Sequence, residues 1–141
     1  MSKHGRKISV RVLATLLTSL LFLGCTGEQK REGLTDGGTY YIYWDSIPGD
    51  IPFNDAFKIT AMIHDGVDHS YMYTDKDLFV DATMPAHGHG MDTTPEVTKT
   101  GGLFQIDGML FHMAGDWELV FAVSDGETVE KAVFNLDCCD N

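Results

Sequence analysis

Cysteine, positive charge and helical periodicity are all scarce in this sequence, and each scarcity excludes a class of protein. Three cysteines, two of them adjacent, cannot form the set of disulfide bonds that stabilises many small secreted folds. Ten lysines and arginines stand against 21 aspartates and glutamates. Because nucleic-acid binding requires basic side chains that neutralise phosphates, we expect no nucleic-acid partner. No 12-residue window after the N-terminal segment shows a helical apolar stripe, which argues against a helical bundle.

The first 24 residues have the pattern of a bacterial secretion signal. A basic start without acidic residues leads into an apolar run from Val12 to Leu23, about half the ~20 residues of a membrane-spanning helix. The run ends in Phe22-Leu23-Gly24-Cys25, which resembles the lipobox of bacterial lipoproteins, although Phe22 stands where leucine is usual. The resemblance implies that Cys25 is diacylated and anchors the protein to a membrane. The alternative is an ordinary signal peptide with a chance cysteine.

Composition divides the rest of the chain into three parts. Residues 25–38, the lipidated cysteine and a polar, glycine-rich stretch, predict a flexible tether. Residues 39–137 are enough for one small domain, and residues 138–141 form a tail. Removal of the signal leaves six basic against 21 acidic residues, a formal charge of −15. We expect a periplasm-facing protein of the cell envelope. Thr26 favours the outer membrane, because enteric lipoproteins retained in the inner membrane carry aspartate there.

The two C-terminal cysteines, Cys138 and Cys139, have several interpretations. A strained bond between the adjacent residues, an intermolecular disulfide and free thiols are all open. The simplest interpretation is a frayed tail without a role.

The domain shows the two-residue period of β-strands. Apolar and polar residues alternate in several short runs that are separated by glycine- and proline-containing turns. The predicted apolar positions are Phe57, Ile59, Ala61, Ile63, Leu78, Val80, Ala82, Met84, Phe104, Ile106, Gly108, Trp117, Leu119, Phe121, Val123, Ala132, Phe134 and Leu136. Tyr40–Trp44 adds a further strand, and His69–Tyr73 a weak one. The pattern predicts an all-β, immunoglobulin-like antiparallel β-sandwich of about seven strands.

Histidine and methionine concentrate in two stretches, residues 84–91 and 109–115. Together these hold three of the five histidines and four of the six methionines that follow Cys25. Each stretch follows a predicted strand, and loops at one end of a sandwich cluster in space. Imidazole binds several transition metals, whereas soft thioether selects Cu(I). Zinc has no use for methionine. We therefore predict a copper site whose candidate ligands are His87, His89, Met91, His112 and Met113.

Structural roles are the alternatives for the same residues. Met84 continues the apolar face of its strand and is better explained as core than as a ligand. Met109 and Met113 are candidates for filling gaps in the core. The segment Gly88-His89-Gly90 is compatible with a solvated turn, and His112 with a hydrogen-bonded structural histidine. His64 and His69 flank a turn and receive no role.

The two stretches resemble the YtkA-like domain family of secreted and lipid-anchored bacterial proteins. Residues 84–91 are similar to its methionine-proline and His-Gly-His-Gly motif, and residues 111–117 to a second block that ends in tryptophan. Residues 51–57 resemble the segment that leads into its second strand. Ala114 stands where proline is common. The resemblance covers roughly Thr39 to Asp125 and implies an immunoglobulin-like sandwich outside the cytoplasm. It supports copper only by analogy with small periplasmic copper carriers of other families, which are also β-sandwiches with histidine and methionine sites.

Two functions follow from the sequence. The first is a non-catalytic, lipid-anchored copper-binding protein that exchanges the metal with another envelope protein. The second is a structural or protein-interaction module without metal. The sequence shows no nucleophile–base pattern, so we do not expect an enzyme. The positions of the two histidine loops distinguish the two functions, since ligands at opposite ends of the sandwich could not share an ion.

Overall fold

This computed structural model describes residues 29–138 of the chain. That part contains nine strands and no helix. No helix in that range is long and apolar enough to span a membrane. The nine strands, with no helix in the described residues, confirm the predicted all-β class. The strands are β1 (Glu32–Leu34), β2 (Tyr40–Ile47), β3 (Ala56–Asp65), β4 (Asp77–Met84), β5 (His89–Gly90), β6 (Glu96–Thr100), β7 (Leu103–Leu110), β8 (Gly115–Ser124) and β9 (Val129–Cys138).

The strands form two antiparallel sheets. One has five strands in the order β1-β2-β3-β7-β6, and the other has four in the order β5-β4-β8-β9. Without the short strands β1 and β5, seven strands remain. The order β2-β3-β7-β6 matches the A-B-E-D sheet of an immunoglobulin-like sandwich, and β4-β8-β9 matches its C-F-G sheet. The predicted architecture is correct, and the two short strands account for the count of nine instead of about seven.

The alternating apolar residues of both sheets form the core. All the apolar positions predicted for β3, β4, β8 and β9 are buried, as alternation in strands with one wet face requires. Trp44, Phe121 and Phe134 meet between the sheets, with ring centroids 5.6–6.0 Å apart. Aromatic pairs at such spacing add to the stabilisation from burial.

Strand β7 departs from the predicted alternation near its end. Gly108 is exposed at φ 81°, and Met109 is buried in its place. The pairing with β3 shifts between Phe57 and Ile59, so that two residues of β7 oppose Lys58. This is a β-bulge with glycine in the left-handed conformation. One extra residue moves the next side chain to the other face, which makes Met109 a core residue.

Both ends of the predicted domain extend further than composition indicates. Strand β1 lies in the segment for which a flexible tether is predicted, because edge pairing with β2 satisfies its backbone and needs few apolar side chains. The Arg31 guanidinium covers the Trp44 ring at 4.5 Å. At the other end Cys138 pairs with Gly115 and is fully buried, so it belongs to β9 and not to a frayed tail.

The weak strand predicted near residues 69–73 is not formed as a strand, and the predictions for both termini fall partly outside the described residues. The weak strand near His69–Tyr73 reduces to one bridge between His64 and Met72. Cys25, the predicted signal and Cys139 lie outside the described residues.

Candidate functional site

Three connections meet at one end of the sandwich, which we call the histidine end. They are residues 48–55 between β2 and β3, residues 85–88 between β4 and β5, and residues 111–114 between β7 and β8. The Asn54 amide donates a hydrogen bond to the Phe111 carbonyl at 2.9 Å, which joins the first connection to the third. In the Greek-key order these connections share one end, so both histidine loops lie together.

A tight hairpin positions the first two histidines. The amides of His87 and Gly88 both donate to the Met84 carbonyl, at 3.0 and 2.9 Å. Gly88 has φ 70°, a conformation that glycine adopts without steric cost. His89 then pairs with Met84 across the hairpin. Both imidazoles are exposed on this loop, and their ring centroids are 5.7 Å apart.

The third histidine, His112, lies in the connection after β7 and approaches His89. The rings of His89 and His112 stack with centroids 5.5 Å apart and planes 30° apart. Trp117 lies beside both, with its centroid 5.7 Å from His112 and 6.5 Å from His89. Phe111 stacks on Trp117 at 4.5 Å. His89 and His112 therefore rest against the buried aromatic pair of Phe111 and Trp117.

The hydrogen bonds of the imidazoles decide which nitrogens are free. Nδ1 of His89 lies 2.9 Å from the Gly90 carbonyl. Because a carbonyl only accepts, Nδ1 carries the proton and Nε2 of the neutral ring keeps its lone pair. His112 is 19% exposed, and its Nε2 lies 3.8 Å from an Asp92 carboxylate oxygen. Its Nδ1 is buried and has no hydrogen-bond partner within residues 29–138.

The two candidate methionines lie between this loop cluster and the core. Both are partly buried and pack against the core. Sδ of Met91 accepts a weak hydrogen bond from the Leu110 amide at 3.5 Å, which leaves its second lone pair free. The Met113 carbonyl accepts the indole N–H of Trp117 at 2.9 Å. Met84 and Met109, by contrast, are fully buried core residues, as predicted for Met84.

The histidines form a row with His89 in the middle, not a closed triangle. Among residues 29–138, no group of three or more His, Cys, Asp or Glu side chains is placed so that it could hold a metal ion. Methionine is not one of those four residue types. Binding by this row would therefore combine imidazoles with thioether ligands, or require small rotations of exposed side chains.

Two residues near the row have no place in the sequence-based ligand set. Asp92 approaches His112, and Trp117 supports both His89 and His112. Asp92 directly follows Met91, and Trp117 ends the second motif, so proximity to the motifs was the available signal. Neither role can be derived without the three-dimensional arrangement of the loops at the histidine end.

Comparison with known proteins identifies one family. No curated protein and no solved structure matches the chain. The model of the YtkA-like family matches residues 72–122. This segment contains all five candidate ligands and both histidine loops. Residues 72–122, which contain both histidine loops, are thus YtkA-like, and the predicted resemblance to this family is confirmed for that segment.

Proposed function

We propose that this protein is a lipid-anchored cell-envelope protein that binds copper at the histidine end without catalysing a reaction. The observation that carries the proposal is the approach of two separate loops. His89 from one loop and His112 from the other have centroids 5.5 Å apart, and His87 lies 5.7 Å from His89. Folding does not require the imidazoles of His87 and His89, since both side chains are exposed.

The spacing of the rings suits a shared ion. Metal–nitrogen bonds of about 2.0–2.1 Å place the centroids of two imidazoles on one tetrahedral ion roughly 5 Å apart. Small rotations of the exposed His87 and His89 side chains supply the difference. The hydrogen bond from His89 Nδ1 to the Gly90 carbonyl fixes the tautomer that presents Nε2, which is the common outer-shell arrangement of metal-binding histidines.

Ligand chemistry favours copper among the transition metals. Imidazole nitrogen suits Cu(II), and thioether sulfur suits Cu(I). A site of His87, His89 and His112 with Met91 and Met113 offers both donor types. Since protons compete with metal for imidazole, binding should weaken as the solution becomes acidic.

The envelope location follows from the sequence and is part of the same proposal. Lipidation at Cys25 would anchor the protein to a membrane, with the outer membrane favoured. The exchange partner would be another envelope protein that donates or accepts copper.

Titration with Cu(I) against a chromogenic chelator tests the proposal. The protein without residues 1–25 keeps every residue that the structure describes. We expect one tight site that the His87→Ala/His89→Ala variant loses. The matched control is His64→Ala/His69→Ala, which also removes two histidines but leaves the histidine end intact. Equal competition by the wild type and the His87→Ala/His89→Ala variant would refute the copper site.

A second function, protein interaction without metal, has its own supporting observation. The outer face of the five-stranded sheet exposes Leu34, Met62 and Leu103, at 51%, 38% and 46%. Tyr41 and Tyr43 lie between them in the strand register. Contiguous exposed apolar surface marks interaction sites in many proteins. Loss of a co-purifying envelope protein on Met62→Glu, with copper binding unchanged, would favour this function.

A further inference from the structure

The N-terminal end of β1 lies on the side of the histidine end, and the strand runs away from it. Strand β1 is antiparallel to β2 and pairs Glu32 with Tyr43. Before β1, the Trp44 amide donates to the Arg31 carbonyl at 2.9 Å, so the pairing continues one step toward the end of β2. The Arg31 guanidinium donates to the Gly49 carbonyl at 2.7 Å. Residue 31 is therefore tied to the connection that follows β2.

That connection belongs to the same end as the histidines. It leads into Ala56, which pairs with Leu110 at the end of β7. Its Asn54 amide donates to the Phe111 carbonyl, and His112 is the next residue. The chain thus comes to the sandwich at the end that carries the candidate copper ligands.

Little chain separates this point from the predicted lipid. Four residue steps connect Gln29 to Cys25, and an extended chain spans at most about 3.3–3.6 Å per residue. The Cα atom of Cys25 can therefore lie no more than roughly 14 Å from the Cα atom of Gln29. That reach is shorter than β3, whose ten residues extend about 33 Å.

We propose that the lipid at Cys25 holds the histidine end of the sandwich toward the membrane surface, so that the partner exchanging metal with it is embedded in that membrane. The inference rests on the proposed anchor and metal site. The opposite end, which carries Val67, Gly101 and Gly126 in turns between strands, would face away from the lipid.

Electrostatic attraction to anionic lipid would not produce this orientation, so we attribute it to the short tether. The histidine end exposes the carboxylates of Asp50, Asp55, Asp92 and Asp116. Anionic lipid would repel them, and repulsion between exposed charges is screened by salt. An orientation set by a short covalent tether should persist at high salt, whereas one set by electrostatic attraction should not.

Paramagnetic relaxation on lipid nanodiscs tests the orientation directly. The metal-free protein from Cys25 onward is coupled through that thiol to a maleimide lipid, with Cys139→Ser to leave one reactive cysteine beside buried Cys138. Gadolinium-chelate lipids then broaden amide signals close to the surface. We expect strong broadening at Gly88 and Asp92, little at Val67 and Gly126, and the same pattern in 1 M salt.

A variant with a longer tether provides the control. Twenty glycine and serine residues inserted between Thr26 and Gly27 should reduce the difference in broadening between the two ends. Equal or reversed broadening with the native tether would overturn the proposal. Because the experiment uses no copper and couples the lipid chemically, failure of copper binding or of biological lipidation would leave this result unchanged.

Discussion

Trp117 should report whether metal binds at the proposed site in the histidine end. Its ring lies 5.7 Å from His112 and 6.5 Å from His89, whereas the other tryptophan, Trp44, packs against Phe121 and Phe134. Cu(II) quenches indole emission at short range. We expect one equivalent of Cu(II) to quench the Trp44→Phe variant strongly and the Trp117→Phe variant weakly. Equal quenching in steady-state fluorescence would place the metal elsewhere.

Replacement of Met91 should distinguish Cu(I) binding from Cu(II) binding at the proposed site. Its sulfur lies at the edge of the core and has one weak partner, the Leu110 amide. Met91→Leu conserves volume and should cost less than about 1.5 kcal/mol of stability. Competition assays should show at least about tenfold weaker Cu(I) binding, equal to 1.4 kcal/mol, with Cu(II) binding nearly unchanged.

Peroxide provides an independent check of the same point. Oxidation converts thioether to a polar sulfoxide, so Cu(I) binding by the wild-type protein should fall further than Cu(II) binding. An equal loss of both oxidation states would argue against thioether ligands.

At the scale of an element, the connection after β3 depends on one carboxylate. Backbone amides of Tyr71, Asp68 and Val67 donate to Asp65 and hold the pKa of its carboxyl well below the ordinary value. A lowered folded-state pKa stabilises the protein above the unfolded pKa, about 3.9, and this contribution is lost as pH falls through the folded pKa. Asp65→Asn should therefore lower the urea midpoint at pH 7, with a smaller difference below pH 4. Asp50→Asn, at an exposed loop position, should change it little at either pH.

The same connection leaves no space beside Gly66. A Cβ atom there would lie 2.1 Å from the Gly38 carbonyl oxygen, which is backbone and cannot move aside. Gly66→Ala should cost about 1–3 kcal/mol, the usual range for overpacking. Gly49→Ala is the matched control, because no atom lies within 4 Å of its added Cβ. Similar thermal midpoints for the two variants would contradict this account of the turn.

For the molecule as a whole, alternation predicted most of the fold and part of the site. The buried faces of β3, β4, β8 and β9 follow from the two-residue period, since burial on one face is what that period encodes. The bulge at Gly108 is not predictable in this way, because a one-residue insertion depends on pairing with β3. Strand β1 escapes prediction because edge pairing uses the backbone, which composition does not report.

The candidate site was likewise predictable from the sequence in part only. The residues of the two histidine stretches are visible in the sequence, and the Greek-key order explains why their loops share an end. The stacking of His89 on His112 and the support from Trp117 arise where β5, β8 and the connection before β8 come together in the folded chain. Periodicity and motif spacing carry no information about those ring contacts.

An amide NMR titration of the Cys139→Ser variant with Ag(I), a diamagnetic stand-in for Cu(I), tests for a copper site at the histidine end. We expect chemical-shift changes that saturate at one equivalent and are confined to residues 84–92 and 110–117. His87, His89 and His112 should be among the residues affected. Changes centred on His64 and His69, changes at Cys138 alone, or none at all would contradict a copper site at the histidine end.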